Sequence, residues 1–544
     1  MKVTPESLVQ EHHESGAWSD LPLDEIFRQT AESHPDRVAI VDAPDRATWT
    51  GGAPRRLTYA EADREIDKLA AFYGAVGLTQ DHVVGVQSPN TVDTVIAILA
   101  ALRADLIVSP LPLHWRQKNV LDALNSIGAK GLIAADRIET RDVGTAARDV
   151  AAELFSLRFV FGLGKDIPDG LIELGPMLAE MGDELQFERS EPRPDPADHA
   201  ATICWSRSGE ENMPVSRCHN HWTSCGTLVI NEAHIKEAGN IVLPYSLSGL
   251  TGLGGGLVPW LMTAGTLHLH HPTSLANLAD HTKAVKADVV LAPGPLAQTL
   301  DRKLGDVNTT LMAAWNISSP QPTTFVPRRR MVDLNIADEF ALTAHARGPS
   351  AKSRPIPLGK HQGPEGCESG PALVEIAVSE TFEDQMPTLL VRGPMVPDIG
   401  WRTLNGNQRR LRWEGNGYLN TNIKVTVTDE GLNGFGVPGL YALGTGNLET
   451  IDVVYSSYPG IREAASFVVE DPVLGARMYA ALVPEPGHVP DAGAFFAYLD
   501  AEGVDLAKIP HRVLILQSLP RNEDGTVCRD RLTLRTQRLP AAVA

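Results

Sequence analysis

The sequence predicts an α/β protein: a large N-terminal domain of two βα subdomains plus a β-rich subdomain, followed by a small α+β C-terminal domain. Three observations carry this. The chain has 544 residues, more than one hydrophobic core usually serves. Helical and strand patterns alternate from residue 57 to 136, and the rhythm returns at 241–271 and 289–300, as in sheets covered by helices. From residue 383 the pattern turns to short strand-like runs between turns. Hydrophobic residues make up 43% and charged residues 21%, the composition of a globular chain and not of a disordered one.

The elements follow in order. Thr58 and Glu61 form a Ser/Thr-x-x-Glu capping box, and Ala62, Ile66, Leu69, Ala70 and Tyr73 recur at helical spacing behind it. VVGVQSPN (83–90) reads as a buried strand ending in a Pro-Asn turn, TVIAILAALRA as the next helix and LIVSPL as the next strand. FERSEPRPDPADH (187–199) is acidic and proline-rich and reads as a surface connection, as does the Gly/Pro/Ser stretch 348–371. TLLVRGPMV, RRLRW, KVTVTDEG and GLYALG read as strands of the β-rich unit. A separate unit begins near residue 444, with the helix LETIDVVYSSYP, the strands AASFVVED and RMYAALVPE and a helix at 492–502. The expected domains are 1–443 and 444–544.

Charge and cysteines narrow the partners. Lys plus Arg total 48 against 67 Asp plus Glu, a formal charge of −19, which repels phosphate backbones and anionic lipids. Neither nucleic acid nor a membrane is an expected partner. The N-terminal residues are polar and acidic and lack an apolar signal core, so a cytoplasmic protein is expected. Five cysteines without framework spacing suggest reduced thiols.

LTYAEADREIDKLAAFYGAVGL followed by VVGVQSPNTVDTVIAILAALRADLIVSPLPL resembles the start of the adenylate-forming superfamily, which includes acyl- and aryl-CoA synthetases, nonribosomal peptide adenylation domains and luciferases. LVRGPMVPDIGW, GYLNTN and the C-terminal SLPRNEDGTVCRDRL resemble further landmarks in the family's order. The resemblance implies a phosphate loop closed by lysine, a magnesium-binding glutamate, a ribose-binding aspartate, a hinge arginine and a catalytic lysine from the C-terminal domain. Ser208, Gly209, Pro214 and His221 keep the loop's spacing, but Glu210 and Glu211 replace its hydroxyl residues, Asn212 a glycine and Val215 the lysine. In the YGxTE frame Phe340 keeps the ring that stacks on adenine and Thr343 survives, while Ala344 replaces the glutamate. Ile423 stands at the aspartate, Thr445 at the hinge arginine and Thr526 at the catalytic lysine.

These replacements imply no functional ATP or magnesium site and no cofactor. The expected function is an ATP-independent reaction on an acyl thioester or carrier-tethered intermediate: acyl transfer, condensation or cyclisation. A phosphopantetheine or CoA thioester would be the substrate and an acyl carrier protein the partner. Two alternatives stand beside it: a non-catalytic scaffold for a synthase partner, and an ATP-dependent acyl- or aryl-CoA ligase with atypical motifs. A homo-oligomer is left open.

Cys204, His219 and His221 are the candidate catalytic residues, because a thiol beside an imidazole can act as nucleophile and base on a thioester; an inert core thiol is the alternative. Trp205, Ser208, Gly209, Tyr245, Gly254, Phe340 and Thr343 are the candidate pocket residues. Gly254 lies in LTGLGGGLVPW, which reads as close packing or a pocket wall. His268 and His270 share a face of a strand, read as an edge strand, but no third metal ligand is evident. Arg328, Arg329 and Arg330 could dock a phosphopantetheine arm or form a solvated turn.

Overall fold

The computed structural model describes residues 1–182, 187–189, 193–206, 212–315, 325–363, 370–380, 386–403, 411–434, 448–471, 475–504, 508–522 and 525–537. The expected α/β architecture is present. An eight-stranded sheet runs in the order β17-β16-β15-β14-β12-β13-β1-β2. Its strands are β1 (Val38–Val41), β2 (Arg56–Thr58), β12 (Asn240–Leu243), β13 (Thr266–Leu269), β14 (Val289–Pro293), β15 (Thr310–Trp315), β16 (Met331–Ala337) and β17 (Ala341–Arg347). All pairs are parallel except β1–β2 and β16–β17. The sheet is therefore not contiguous in sequence, since β1 and β2 join strands two hundred residues later.

A seven-stranded sheet has the order β11-β10-β4-β3-β5-β8-β9, built from β3 (Val83–Gln87), β4 (Ile107–Pro110), β5 (Gly131–Ala135), β8 (Phe159–Leu163), β9 (Ile172–Glu173), β10 (Ala200–Ser206) and β11 (Met213–Cys218). Only β10–β11 is antiparallel. Two short hairpins, β6 (Arg137–Ile138) with β7 (Arg141–Asp142) and β23 (Val427–Thr428) with β24 (Gly431–Leu432), lie outside the main sheets. The β-rich unit is a five-stranded antiparallel sheet of β18 (Gly359–His361), β19 (Val374–Val378), β20 (Thr388–Arg392), β21 (Arg412–Trp413) and β22 (Leu419–Lys424).

Burial on both faces explains why the parallel strands are near-continuous hydrophobic runs. VVGVQ is buried at all five positions. The helix Tyr59–Ala75 starts at the anticipated box: the Thr58 hydroxyl accepts from Glu61 N–H at 3.3 Å and Glu61 Oε2 from Thr58 N–H at 2.8 Å. Its apolar face shares one core with Val92–Arg103, with His219–Ala233 and with strands of both sheets. Leu250–Thr263 is helical, with a π-helical segment at Leu253–Leu257. Its glycines permit close packing: a Cβ on Gly256 would lie 2.5 Å from Leu243.

In the C-terminal unit, β25 (Ile461–Asp471), β26 (Gly475–Pro484) and β27 (Arg512–Ile515) form a sheet with its own two hydrophobic clusters. Arg116 of the N-terminal part pairs with the carboxylate of Asp500 in the helix Ala492–Ala501 and donates to its carbonyl at 3.3 Å. GLYALG and Thr445 lie outside the described residues. β13 is not an edge strand, as the sequence reading had it, but lies between β12 and β1. Among the described residues no helix is long and apolar enough to cross a membrane.

Candidate functional site

In open parallel sheets ligands bind outside the carboxyl ends of the strands, and here those ends from two sheets converge. A cavity of about 280 Å³ is lined by Asn90 and Leu113, which follow β3 and β4 of the seven-stranded sheet. Tyr245, Ser246, His271 and Pro293, at the ends of β12, β13 and β14 of the other sheet, complete it with two further prolines. Asn90 ties the edges together, its amide donating to the carbonyls of Tyr245 at 2.6 Å and Leu243 at 3.4 Å. His271 is held by Glu139 at 2.9 Å and stacks on Trp49 at 4.4 Å. Burial pushes the Tyr245 phenol up, so it stays neutral. The lining suits an apolar group with few polar contacts.

The β16–β17 hairpin turns on the same edge, two strands or about 10 Å from β14. Its turn carries adjacent carboxylates, Asp338 and Glu339. Asp338, at φ 50°, accepts from the Ser206 hydroxyl at the end of β10, a second tie between the sheets. Both oxygens of Glu339 accept from Leu250 N–H at 3.0 Å. Gly249 permits this approach, because a Cβ there would stand 2.3 Å from Glu339 Oε1. Residues 244–250 therefore run from the cavity to the carboxylate turn. Asp338 and Glu339 precede the motif frame that begins at Phe340 and so have no role in it. The signal available was the polar Asp-Glu pair ending the buried run MVDLNIA.

Beneath this turn lies Arg217 of β11, fully buried at 0% exposure. It donates through Nη2 to the Glu339 carbonyl at 2.5 Å, and its Nη1 is 3.8 Å from Glu339 Oε2.

The expected catalytic group does not assemble. Side chains alternate along a strand, and Cys204 faces the core with Met213, Val215 and Trp222, where burial pushes its thiol well above the usual range. The thiol beside His221 is Cys218, Sγ to Nδ1 3.0 Å. The Cys218 N–H points at the same Nδ1 at 3.0 Å, and Nε2 faces Asp398 at 3.3 Å. Cys218 and His221 are both at 0% exposure, with Trp18 edge-on to the ring at 5.3 Å. A thiol at 0% exposure is placed as a core residue. His219 accepts from Leu23 N–H at 3.1 Å, and burial lowers its pKa to about 4. The two histidines anchor the N-terminal segment.

Of the expected pocket residues, Tyr245 lines the cavity. Trp205 is in the core on the other face of β10, donating to Ser109 at 3.0 Å. Gly254 is packed between Leu250, Cys225 and Leu342. Phe340 and Thr343 are at 1% and 0% exposure, so the ring expected against adenine belongs to the core. Ala344 is buried in β17 and Val215 in β11. Ile423 packs partly against the main core. Thr526 is exposed and accepts from Asn522 at 3.0 Å. Ser208 and Gly209 lie outside the described residues. His270 meets His281, Nδ1 to Nδ1 3.1 Å, and among the described residues no group of three donors could hold a metal ion. Arg329 is buried on Asp301 at 2.6 Å and Arg330 donates to the Glu232 carbonyl at 2.8 Å, so these two are structural and only Arg328 is exposed.

Residues 27–316, more than half of the chain, match the AMP-binding enzyme family. Salicyl-AMP ligase / salicyl-S-ArCP synthetase of Mycobacterium tuberculosis is 24% identical over 96% of this chain and 92% of its own length. Salicylyl-CoA synthase / salicylate adenylyltransferase of a Streptomyces species is 24% identical over 97% and 96%. The apo structure of Mycobacterium smegmatis MbtA covers 99% of both chains at TM-score 0.62 and 18% identity, a likeness of fold. These findings correct one expectation. Relatives matched over nearly their whole length are named for adenylate chemistry, so the inference of no functional ATP or magnesium site, drawn from single replaced residues, does not stand. The ligase alternative fits better than an ATP-independent reaction.

Proposed function

The chain belongs to the AMP-binding enzyme family, and from that premise we propose that it is an ATP-dependent ligase of a compact acyl or aryl acid. The observation that carries this is the shared edge: an apolar cavity sized for an acid's tail and a carboxylate turn, joined by residues 244–250. The acid's carboxylate oxygen attacks the α-phosphorus, the α–β anhydride breaks and pyrophosphate leaves, giving an acyl-adenylate. Mg²⁺ takes hard oxygen ligands and is often held by one or two carboxylates plus phosphates. Asp338 and Glu339 supply such donors, with the Ser206 hydroxyl beside them. In this reading they take over the task that the sequence frame assigned to the position of Ala344.

The named relatives point to the class of acid, salicylate-like aryl acids. The acceptor would be a phosphopantetheine thiol, on CoA or a carrier protein. Val215, Ile423, Thr445 and Thr526 each lack a polar or charged group that the family pattern carries. One such transition-state contact is worth about 3 kcal/mol, so the proposal is a slow ligase. Pyrophosphate exchange with aryl and medium-chain acids tests it: exchange above the acid-free blank is expected with at least one aryl acid. Background exchange with every acid, together with no calorimetric signal for Mg·ATP, refutes it.

A further inference from the structure

Val215 stands at the lysine position of the phosphate loop, and side chains at i and i+2 of a strand share a face. A cation therefore reappears one step along the same face, at Arg217. Its environment is not that of a stabilising core residue. Burying a guanidinium is costly unless it is fully paired, and apolar replacements of buried ion pairs are often as stable. Yet Arg217 is on the face of β11 that carries the buried Met213 and Val215, and its Nε and Nη1 make no hydrogen bond among the described residues. Its guanidinium lies 5.0 Å over the Trp222 ring, which holds it from below. Among the described residues its hydrogen bond and its ion pair both run to Glu339: Nη2 to the carbonyl at 2.5 Å and Nη1 toward the carboxylate at 3.8 Å. Two neighbouring carboxylates in one turn repel each other, and Arg217 brings a positive charge to the Glu339 side of that turn.

We infer that Arg217 is a positioning residue that clamps the 338–339 turn so that its carboxylates meet the metal of the bound nucleotide. The inference rests on the ligase reading and on Glu339 as a metal ligand. Arg217 acts through Glu339 and touches no substrate.

Mn²⁺ in place of Mg²⁺ gives a direct readout, because electron paramagnetic resonance counts free Mn²⁺ in a titration of the full chain with Mn·ATP. Loss of an outer-shell partner typically weakens a metal site 10–100-fold, so Arg217→Met should raise the Mn·ATP dissociation constant at least about tenfold. Arg217→Lys keeps the charge without the fork and should recover most of that loss. Glu339→Gln should weaken binding at least as much as Arg217→Met, and the double variant no more than Glu339→Gln alone. Wild-type affinity in Arg217→Met, or losses that multiply in the double variant, overturns the clamp while leaving the ligase reading intact. Should Arg217→Met fail to fold by circular dichroism, Arg217→Lys paired with Glu339→Gln decides: multiplying losses again overturn it. A wild-type chain that binds no Mn·ATP removes both.

Discussion

Replacing Gly249 by alanine isolates the contact on which the carboxylate turn depends. The backbone there is extended, with φ −174°, so alanine adopts it without strain and any effect comes from the added methyl. That methyl would lie 2.3 Å from Glu339 Oε1 and 3.2 Å from Cδ, closer than atoms approach, and the carboxylate must retreat by about 1 Å. Both 3.0 Å bonds from Leu250 N–H are then lost. A hydrogen bond to a charged group contributes about 1.5–3 kcal/mol, so Gly249→Ala should lower unfolding stability by about 2 kcal/mol. A reacting or ligating group misplaced by about 1 Å can cost on the order of 100-fold in rate. Urea unfolding and pyrophosphate exchange measure the two effects. Gly348→Ala, where a Cβ meets nothing within 4 Å, is the control and should leave exchange unchanged and stability the same or up to about 1 kcal/mol higher. A Gly249→Ala protein matching wild type in stability and exchange would refute the placement of Glu339 against residues 249–250.

Two more outcomes follow from burial. Cys204, Cys218 and Cys225 are buried and Cys528 is partly exposed, and burial pushes the Cys225 thiol up to about 12. Iodoacetamide on the folded protein should therefore label Cys528 fast and these three only on unfolding; rapid labelling of Cys218, read by peptide mass spectrometry, contradicts the packing around His221. Burial holds His219 at about 4 against 6.5 for the ordinary imidazole. On acidification the unfolded chain takes up a proton that the folded chain refuses, so stability present above pH 6.5 is lost as pH falls toward 4, by about 2 kcal/mol at pH 5 for this group. Urea midpoints at pH 7.5 and 5.0 should converge more closely in His219→Gln than in wild type.

Local rules carried the fold further than the site. The capping box at Thr58 and Glu61 and the buried run VVGVQ are each decided by a few neighbouring residues, and they form as read. The edge position assigned to TLHLHHP failed because β13 is flanked by a strand from residues 38–41, a pairing no local pattern announces. Cys204 was paired with His221 on proximity in sequence, whereas alternation along β10 and β11 puts Cys204 on one face and Cys218 on the other. The motif frame set on Phe340 concealed Asp338 and Glu339, because an aromatic residue fits a buried hairpin as well as a nucleotide face. Arg217 was invisible for a different reason: its significance lies in Glu339, a residue 122 positions away.

The ion pair between Arg116 and Asp500 joins the small C-terminal unit to the connection that leaves β4. Leu113, three residues upstream, forms part of the cavity wall, and its carbonyl accepts from Arg141. Movement of the small unit away from this position would break the pair and free the segment that carries Leu113 from that tether. Asp500 is more than half exposed, at 59%, and Arg116 is at 24%, and a pair of that kind contributes at most about 1 kcal/mol. By itself such a tether changes the balance between a docked and an undocked unit by no more than about fivefold.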